Sequence, residues 1–294
     1  MHPILTEPVK AERLTLEIAG LPDRLEGIKL VQLSDFHYDG LRLSDEVLQE
    51  AIALSNSMQP DLVVLTGDYV TDSPEPIGRL AQALQGLKSD RGTYAILGNH
   101  DNHRPGARTH ITQTLIAAGI PVLWNEIAYP LGEDLPLVGL ADLWSREFAP
   151  AAVMSQLSPQ VPRIVLSHNP DSAVQLRSWR VDLQLSGHTH GGQVVFPGLG
   201  PVAGWLEWGR ANIPRSVRRH VPYLRGDCYK VVRHWEWSEG LHQVGSNTLY
   251  VNRGLGSYFP GRLFCPPEVT VITLVAKPQL AAAGSREAIA NPIL

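Results

Sequence analysis

Cysteine is scarce in this sequence: 294 residues include two, Cys228 and Cys265. A small secreted protein held together by disulfides would carry more cysteines in a shorter chain. Neither cysteine has a second one at the C-x-x-C spacing of a structural zinc site. We therefore expect two free thiols, with one bridge between them as the alternative.

Long apolar runs are missing as well. No window comes near the roughly 18 uninterrupted apolar residues that a membrane-spanning helix needs. Residues 1–10 also lack the basic stretch and the apolar stretch of a signal peptide. We expect a cytoplasmic protein, and peripheral contact with the inner membrane is a second hypothesis for its location.

Basic residues are fewer than acidic residues, and lysine is especially rare. The net charge is -4, and five of the 25 basic residues are lysine. Proteins that bind nucleic acids through their backbone carry an excess of basic charge on one face. The composition therefore argues against a nucleic-acid partner.

The sequence does contain an alternation of strand-like and helix-like segments. Apolar runs typical of strands lie at 28–34, 62–66, 93–97, 121–124, 137–140, 163–167 and 182–186. Helical spacing, caps and breakers mark helices at 44–58, 76–87, 110–118 and 171–179. This repetition predicts an α/β fold with a largely parallel sheet and helices on its faces.

The last third of the chain changes in character. Residues 193–227 are rich in Gly, Pro, Trp and Arg, and we interpret them as a cap or substrate-binding segment. Strands predicted at 228–235, 248–252 and 269–275 would form a second sheet that closes the fold. We expect one domain over residues 1–278 and a flexible tail over 279–294.

Five short polar motifs each follow a predicted strand directly. They are SDFHYDG at 34–40, TGDYVTD at 66–72, GNHD at 98–101, SHNPD at 167–171 and SGHTHGG at 186–192. The carboxyl ends of parallel strands line one edge of an open α/β sheet, and ligand sites form there. We therefore expect the motifs to converge on one site, with these candidate metal ligands: Asp35, His37, Asp68, Asn99, His168, His188 and His190.

The chemistry of these side chains points to a pair of metal ions. Imidazoles, carboxylates and a carboxamide without any thiolate suit Mn²⁺, Fe²⁺ or Zn²⁺. Seven ligands are too many for one tetrahedral zinc, but suit two ions that share a carboxylate. Two ions about 3.5–4 Å apart are a common clamp for phosphoryl displacement. Each motif alone could be a turn or a core histidine, and it is their conjunction that favours a metal site.

With these motifs, the chain resembles the calcineurin-like metallophosphoesterase superfamily from about residue 28 to 192. The family pattern is D-x-H, G-D, G-N-H-D/E, a lone His, and G-H-x-H, and every position is filled here. The resemblance implies a four-layer αββα sandwich of two sheets, with two divalent ions, most simply Mn²⁺, at the strand ends. It also implies a division of ligands: Asp35, His37 and His190 on one ion, Asn99, His168 and His188 on the other, and Asp68 bridging both.

The expected reaction is attack on a phosphate ester by a hydroxide that bridges the two ions. Metal binding lowers the pKa of water from about 15.7 toward 7, so this nucleophile exists at neutral pH. His100 is the candidate acid for the leaving group, because its neighbour Asn99 is a candidate ligand. Asp101 is expected to orient the His100 imidazole and favour its charged form.

The motifs SDFHYDG, LTGDYV, LSHNPD and SGHTHGGQV further resemble a bacterial branch of small, often membrane-linked phosphodiesterases. That resemblance implies cleavage of a phosphodiester or pyrophosphate. A lipid-linked diphosphate such as UDP-2,3-diacylglucosamine is the leading specific substrate, with generic small phosphodiesters or nucleotides as the alternative. One alternative is a phosphomonoesterase or phosphoprotein phosphatase with the same metals. A non-catalytic scaffold of the same fold is another.

Tryptophan and arginine are interleaved with apolar residues over 203–225, including Trp205 and Trp208. One interpretation is a cap loop that packs its tryptophans inward beside the site. The other is a patch that contacts membrane headgroups and an amphiphilic phosphate-bearing substrate. Pro214 argues against a single long helix in this segment.

Overall fold

The computed structural model describes residues 3–219 and 232–278. Four features of the sequence analysis lie outside these residues in whole or in part: Cys228, the tail at 279–294, residues 220–227 of the cap segment, and residues 228–231 of a predicted strand. Within the described residues, Cys265 is a free, buried thiol.

The described strands and helices alternate along most of the chain. The strands are β1 (Lys10–Ile18), β2 (Lys29–Leu33), β3 (Leu62–Leu65), β4 (Thr93–Ala95), β5 (Glu126–Ala128), β6 (Leu137–Gly139), β7 (Ile164–Leu166), β8 (Leu183–Ser186), β9 (Val195–Phe196), β10 (Gly200–Pro201), β11 (Gly240–Val244), β12 (Asn247–Val251) and β13 (Glu268–Ala276). The helices are α1 (Asp45–Ser57), α2 (Ile77–Leu84), α3 (Ala107–Ala117), α4 (Pro150–Met154), α5 (Ser172–Leu176), α6 (Val202–Asn212) and α7 (Arg215–Arg218). None of these helices has the length and apolar character that crossing a bilayer requires.

Most strands belong to two mixed sheets. The first has the order β1-β13-β2-β3-β4, and the second has the order β11-β12-β8-β7-β6-β5. Strands β2, β3 and β4 are parallel, as are β6, β7, β8 and β12. Antiparallel pairs join β13 to β2, β11 to β12 and β5 to β6. The predicted parallel strands thus form one side of the first sheet and the centre of the second.

The two sheets pack face to face on an apolar core. Leu30, Val64 and Ile272 of the first sheet meet Leu166 and Leu185 of the second in this core. A separate core lies between the first sheet and α1, α2 and α3, and another lies between the second sheet and α4 and α5. The fold is therefore α/β with the four-layer αββα arrangement that the resemblance implied.

Local sequence explains where α1 begins and which side it buries. The Ser44 hydroxyl accepts a hydrogen bond from the Val47 N–H at 3.3 Å and caps the helix. Leu48, Ala51 and Ile52 recur at helical spacing and are buried against the first sheet. Burying these three side chains stabilises the packed helix far more than its propensity does.

The predicted strand at 121–124 is wrong. Val122 forms an isolated bridge with Ala95, and the edge strand of the second sheet is β5, which begins at Glu126. Pro121 has no N–H to contribute to a ladder, and its carbonyl alone accepts a hydrogen bond from Ala95. This leaves the segment able to pair at single residues only.

The last third of the chain does not form a second sheet of its own. β11 and β12 extend the second sheet beside β8, whereas β13 enters the first sheet between β1 and β2. The described end of the predicted strand 228–235 is also not a strand, and Trp235–Trp237 is a 3-10 turn. The N–H groups of Arg233 and His234 bond to the Asp171 carboxylate instead of to a neighbouring strand.

The described part of the cap segment is more regular than its sequence suggested. β9 and β10 form a short hairpin, and α6 and α7 follow it. Pro214 lies between the two helices and directly precedes α7. The prediction that proline prevents a single long helix is therefore confirmed for the described residues.

Candidate metal centre

The five polar motifs lie at the carboxyl ends of five strands and meet where the two sheets come together. β2, β3 and β4 lead into the first three motifs, and β7 and β8 lead into the other two. Backbone hydrogen bonds join neighbouring motifs: Asp35 N–H donates to Gly67 O at 3.0 Å, and Gly187 N–H donates to His168 O at 3.0 Å. Across the two sheets, the His188 N–H donates to the Asp35 carboxylate at 2.9 Å.

Asp35, His37 and His190 form a first cluster. They offer ligand atoms that all lie within 4.8 Å of one another, and all three residues are buried. His190 Nε2 lies 3.1 Å from His37 Nε2 and 3.6 Å from Asp35 Oδ1. Two imidazole nitrogens and a carboxylate oxygen directed at one point are a donor set that a divalent ion fits.

A second cluster consists of Asp68, His168 and His188, which meet the same 4.8 Å limit and are also buried. His168 Nε2 lies 3.1 Å from Asp68 Oδ2 and 3.3 Å from His188 Nδ1. Asp68 Oδ2 is also 3.5 Å from His37 Nε2 of the first cluster. One carboxylate oxygen therefore lies between the two clusters.

Asn99 is the remaining predicted ligand, and its carbonyl gives an independent test of metal binding. Asn99 Oδ1 is buried and has no hydrogen-bond partner among the described residues. Leaving a buried acceptor unsatisfied costs about 1–3 kcal/mol. A cation at this oxygen would remove that cost, so the residue fits a metal-binding role.

Backbone carbonyls orient two of the histidines. His168 Nδ1 lies 2.7 Å from Thr66 O, and His190 Nδ1 lies 3.2 Å from Gly256 O. A carbonyl can only accept, so Nδ1 carries a hydrogen in each ring and Nε2 is the nitrogen left to bind an ion. In both rings the free nitrogen is the one that faces its cluster, as metal-binding histidines require.

The histidine pKa values differ between the two clusters. Burial lowers the pKa of His37 and of His190 to about 3, so both rings are neutral and able to bind metal at neutral pH. Burial also acts to lower the pKa of His168, but the neighbouring Asp68 carboxylate outweighs it and raises the value to about 10. A metal ion at His168 Nε2 must therefore displace a proton.

Unusual backbone conformations are concentrated at this site. Five of the predicted ligands have positive φ angles despite carrying a side chain, between 44° and 74°: Asp35, His37, Asp68, His188 and His190. Such angles are uncommon for residues other than glycine, and each costs of the order of 1–3 kcal/mol. The surrounding hydrogen bonds must therefore hold these residues in place.

His100 lies beside the clusters, and its contacts correct one expectation. Its ring Nδ1 is 2.9 Å from Thr71 O, so the Thr71 carbonyl orients the imidazole. The Asp101 carboxylate, expected in that role, instead accepts hydrogen bonds from the N–H groups of Asp68, Tyr69, Val70 and Gly98. Asp101 therefore shapes the backbone around Asp68. His100 also meets the 4.8 Å limit with His37 and Asp68.

Glycines permit the close packing around the carboxylates. A Cβ at Gly98 would lie 2.1 Å from Asp68 Oδ1, and a Cβ at Gly187 would lie 2.1 Å from Asp35 Oδ2. Real Cβ atoms do not approach that closely. The glycines in these motifs are required by close approach as well as by turn geometry.

Two aromatic residues at the site were not predicted from the sequence. Tyr258 follows β12, and its hydroxyl lies 3.1 Å from His37 Nδ1. The Trp144 ring meets the His188 ring edge-on with centroids 5.1 Å apart. Neither residue belongs to a polar motif, and Tyr258 is 221 residues from His37, so spacing along the chain gave no sign of either.

Comparisons with known proteins agree with this geometry. The profile of the calcineurin-like phosphoesterase family matches residues 28–192, which include all seven predicted ligands. Phosphodiesterase YaeI from Escherichia coli is 34% identical to this chain, covering 92% of it and 90% of YaeI. The uncharacterized metallophosphoesterase YkuE from Bacillus subtilis is 33% identical, covering 88% of this chain and 83% of YkuE. The UDP-2,3-diacylglucosamine pyrophosphatase LpxG from Chlamydia trachomatis is 29% identical, covering 86% of this chain and 85% of LpxG.

Proposed function

Because the chain belongs to the calcineurin-like phosphoesterase family and is therefore a metal-dependent phosphoric ester hydrolase, we propose that it cleaves a phosphodiester or pyrophosphate at a pair of divalent ions. The proposed ligands are Asp35, His37 and His190 for one ion, Asn99, His168 and His188 for the other, and Asp68 for both. The proposed catalytic acid is His100.

The position of Asp68 is the observation that carries this proposal. Its Oδ2 lies 3.1 Å from His168 Nε2 in one cluster and 3.5 Å from His37 Nε2 in the other. A carboxylate shared in this way is what two adjacent ions need, because it offsets the repulsion between their charges. A site for one ion would not require a second cluster of buried histidines.

When bound, two such ions supply an activated water and positive charge beside the phosphate oxygens. The chain then has to place a proton donor at the leaving oxygen. The backbone N–H of His100 donates to Asp68 Oδ1 at 2.9 Å, and the Thr71 carbonyl oxygen lies 2.9 Å from Nδ1 of the His100 ring. This holds the imidazole next to the carboxylate that would bridge the ions, where it can give a proton to the leaving group.

For the ions themselves we propose Mn²⁺, with Fe²⁺ and Zn²⁺ as alternatives. The donor set combines imidazole nitrogens with carboxylate and carboxamide oxygens. Such mixed ligands suit borderline divalent ions, and the described residues around the clusters add no thiolate that would favour a softer metal.

The reaction is tested with protein that has been stripped by a chelator and reloaded with Mn²⁺. We expect metal-dependent hydrolysis of bis-p-nitrophenyl phosphate, with a higher kcat/KM than for p-nitrophenyl phosphate. Asp68→Asn should abolish it, whereas the matched change at exposed His110, His110→Asn, should not. A preference for the monoester would support the phosphomonoesterase alternative. Two bound metals without hydrolysis of any ester would support a non-catalytic scaffold.

The more specific proposal is a lipid-linked diphosphate substrate such as UDP-2,3-diacylglucosamine. The name of one relative suggests it, and an exposed apolar surface gives it physical support. We call this surface the aromatic face, and its exposed side chains are Phe196, Leu199, Trp205, Trp208, Phe259 and Phe264. Apolar area of this kind commonly marks an interaction site.

Contacts join parts of the aromatic face to one another and connect it to the metal centre. The Phe196 ring stacks on Trp205 with centroids 5.6 Å apart, and Trp205 Nε1 donates to Leu199 O at 2.8 Å. Val195 N–H donates to Leu263 O at 3.0 Å, which joins the β9–β10 hairpin to the loop that carries Phe259 and Phe264. Phe259 directly follows Tyr258, whose hydroxyl contacts His37.

Charge next to the aromatic face suits an anionic lipid surface. Over residues 202–219 there are four arginines, Arg210, Arg215, Arg218 and Arg219, and one acidic residue, Glu207. Trp205 and Trp208, three residues apart on α6, are 42% and 68% exposed, which does not fit the interpretation of a loop with inward tryptophans. Aromatic rings with basic neighbours at headgroup level are typical of peripheral membrane contact.

Vesicle co-sedimentation tests the membrane proposal. We expect binding to vesicles of phosphatidylglycerol and phosphatidylcholine, weaker binding to phosphatidylcholine alone, and loss of binding in a Trp205→Ala/Trp208→Ala double variant. Tyr129→Ala is the matched control, because Tyr129 is similarly exposed (50%) outside the aromatic face. Wild-type protein that stays in the supernatant would end the membrane proposal and leave the phosphodiesterase proposal intact.

A further inference from the structure

Tyr258 reaches the candidate metal centre from outside the five polar motifs. It lies in the loop between β12 and β13, and its ring centroid is 5.0 Å from that of His37 and 5.4 Å from that of His190. Its hydroxyl oxygen is 3.1 Å from His37 Nδ1 and 3.4 Å from His100 Nε2. One side chain thus contacts both a proposed ligand and the proposed acid.

The contacts of His37 decide which of its nitrogens faces an ion. Nε2 lies 3.1 Å from His190 Nε2 and 3.5 Å from Asp68 Oδ2, so Nε2 points into the clusters. Nδ1 faces the hydroxyls of Tyr258 at 3.1 Å and Thr71 at 3.3 Å. If Nε2 offers its lone pair to an ion, Nδ1 carries the hydrogen and donates it to one of these hydroxyl oxygens.

The contacts of His100 fix the direction of the next hydrogen bond. Thr71 O can only accept, so His100 Nδ1 carries a hydrogen, and Nε2 faces the Tyr258 hydroxyl. A phenol hydroxyl oxygen can accept a hydrogen bond, so it can pair with a protonated ring nitrogen at this position. The Tyr258 oxygen is therefore the nearer acceptor for His37 Nδ1, and it also accepts from Nε2 of His100 in the charged form that the proposed acid requires.

Other side chains hold Tyr258 in this position. The Arg42 guanidinium lies over the Tyr258 ring, 4.6 Å from its centroid, and pairs with Asp39. Asp39 Oδ2 in turn accepts from the Thr71 hydroxyl at 3.2 Å. The Thr71 hydroxyl is 3.3 Å from His37 Nδ1, which contacts Tyr258, so this chain of contacts begins and ends at Tyr258.

We propose that Tyr258 is a positioning residue, which sets the ring of His37 toward the first ion and the ring of His100 toward the leaving group. The proposal rests on the function proposed above, in which His37 is a metal ligand. It assigns a role in that site to a residue outside the five motifs. It also predicts that removing one hydroxyl oxygen weakens metal binding without removing any ligand.

The test compares Tyr258→Phe with Tyr250→Phe in Mn²⁺ titrations by calorimetry. Tyr250 is the matched control, because its buried hydroxyl also has a partner, Glu268 at 2.5 Å, outside the clusters. We expect Tyr258→Phe to weaken one of two Mn²⁺ sites about 10- to 100-fold, the usual effect of losing a group that orients a ligand. Tyr250→Phe should leave both affinities unchanged. Melting temperatures without metal separate either effect from a general loss of stability.

The outcomes distinguish this inference from the function on which it rests. Wild-type protein that binds no Mn²⁺ would overturn both. If both Mn²⁺ sites have the same affinities in Tyr258→Phe as in the wild type, this inference alone would be overturned. If Tyr258→Phe does not fold, long-range ¹H–¹⁵N spectra of the Zn²⁺-loaded wild type decide the matter. Coordination of His37 through Nε2 with a protonated Nδ1 supports the proposal, and coordination through Nδ1 contradicts it.

Discussion

Single polar atoms at this site have specific partners, and that is what makes the side chains able to bind metal. His168 and His190 each give the hydrogen on Nδ1 to a backbone carbonyl, Thr66 O and Gly256 O. Each therefore presents Nε2 to its cluster. One exception is Asn99 Oδ1, which is buried without a hydrogen-bond partner among the described residues. Binding of a cation would give this oxygen a partner and hold it in place.

Replacing Asp101 should destabilise the protein, because its carboxylate accepts several backbone N–H groups in a buried setting. In Asp101→Asn, one oxygen becomes an NH₂ group that faces other donors. We expect a loss of about 2–3 kcal/mol in the free energy of unfolding, measured with urea. The control is Asp134→Asn, which removes an exposed ion pair with Arg24 and should cost about 0–1 kcal/mol. Equal effects of the two changes would refute the structural role of Asp101.

Replacing His100 should separate catalysis from metal binding. We expect His100→Asn to retain two Mn²⁺ per chain and to lower kcat about 100- to 10,000-fold, the range for a lost general acid. The check is metal content and turnover of bis-p-nitrophenyl phosphate on the same sample. Near-normal turnover would show that the acid is another group. Loss of one Mn²⁺ would show that His100 is a ligand, which its distance from His37 and Asp68 permits.

Residue types and spacing were sufficient to predict which side chains converge, but not what each one contacts. Six of the seven candidate ligands meet in the two clusters, because each lies in a motif that follows a strand. The role of Asp101 was mispredicted, because GNHD does not show that its carboxylate turns toward backbone N–H groups. Tyr258 was missed because long-range packing alone brings it to His37.

At the scale of strands and turns, the site depends on sharp bends immediately after the strands. Asp68 lies in the turn that follows β3 and has a φ of 54°. The N–H groups of Asp68 and Gly98 both donate to the Asp101 carboxylate. These contacts pack the ends of β3 and β4 against each other. There is no room between them for an added side-chain atom.

A methyl group at Gly98 should therefore disturb both stability and metal uptake. In Gly98→Ala the new Cβ would lie 2.1 Å from Asp68 Oδ1, so the carboxylate has to move. We expect a loss of about 1–3 kcal/mol in the free energy of unfolding, typical of overpacking, and weaker Mn²⁺ binding. Gly78→Ala is the control: Gly78 lies in α2 with open space around it, and alanine should stabilise that helix by about 0.5–1 kcal/mol. Unchanged Mn²⁺ affinity in Gly98→Ala would contradict this packing.

Elements with one strongly apolar side were predictable, and those that depend on a distant partner were not. The buried runs of β2 and β3 and the amphipathic α1 were found from the sequence. β1 was missed because the strand predictions relied on continuous apolar runs, whereas KAERLTLEI is an edge strand with few buried residues. α6 was missed because both its sides carry apolar residues, with Trp205 and Trp208 exposed.

For the whole molecule, the packing of two sheets explains why one site needs five distant segments. The first sheet supplies Asp35, His37, Asp68 and Asn99, and the second supplies His168, His188 and His190. Each sheet alone provides too few donors for two ions. The apolar core between the sheets sets the distance between these two groups of ligands, so metal binding and sheet packing are coupled.

The resemblance of the motifs to a known family predicted this whole-molecule arrangement, and local periodicity did not. Strand order depends on which distant strands pair, such as β1 with β13 and β8 with β12. Nothing in either segment alone specifies its partner. The prediction of a separate closing sheet was wrong for this reason, since β13 returns to the first sheet beside β2.

The most direct test of the central claim is the number of Mn²⁺ ions that one chain binds at saturation. Elemental analysis after removal of free metal should give two per chain for wild type, and His110→Asn should match it. The two clusters around Asp68 Oδ2 predict this value. A saturated wild-type protein with one Mn²⁺ per chain would contradict the account.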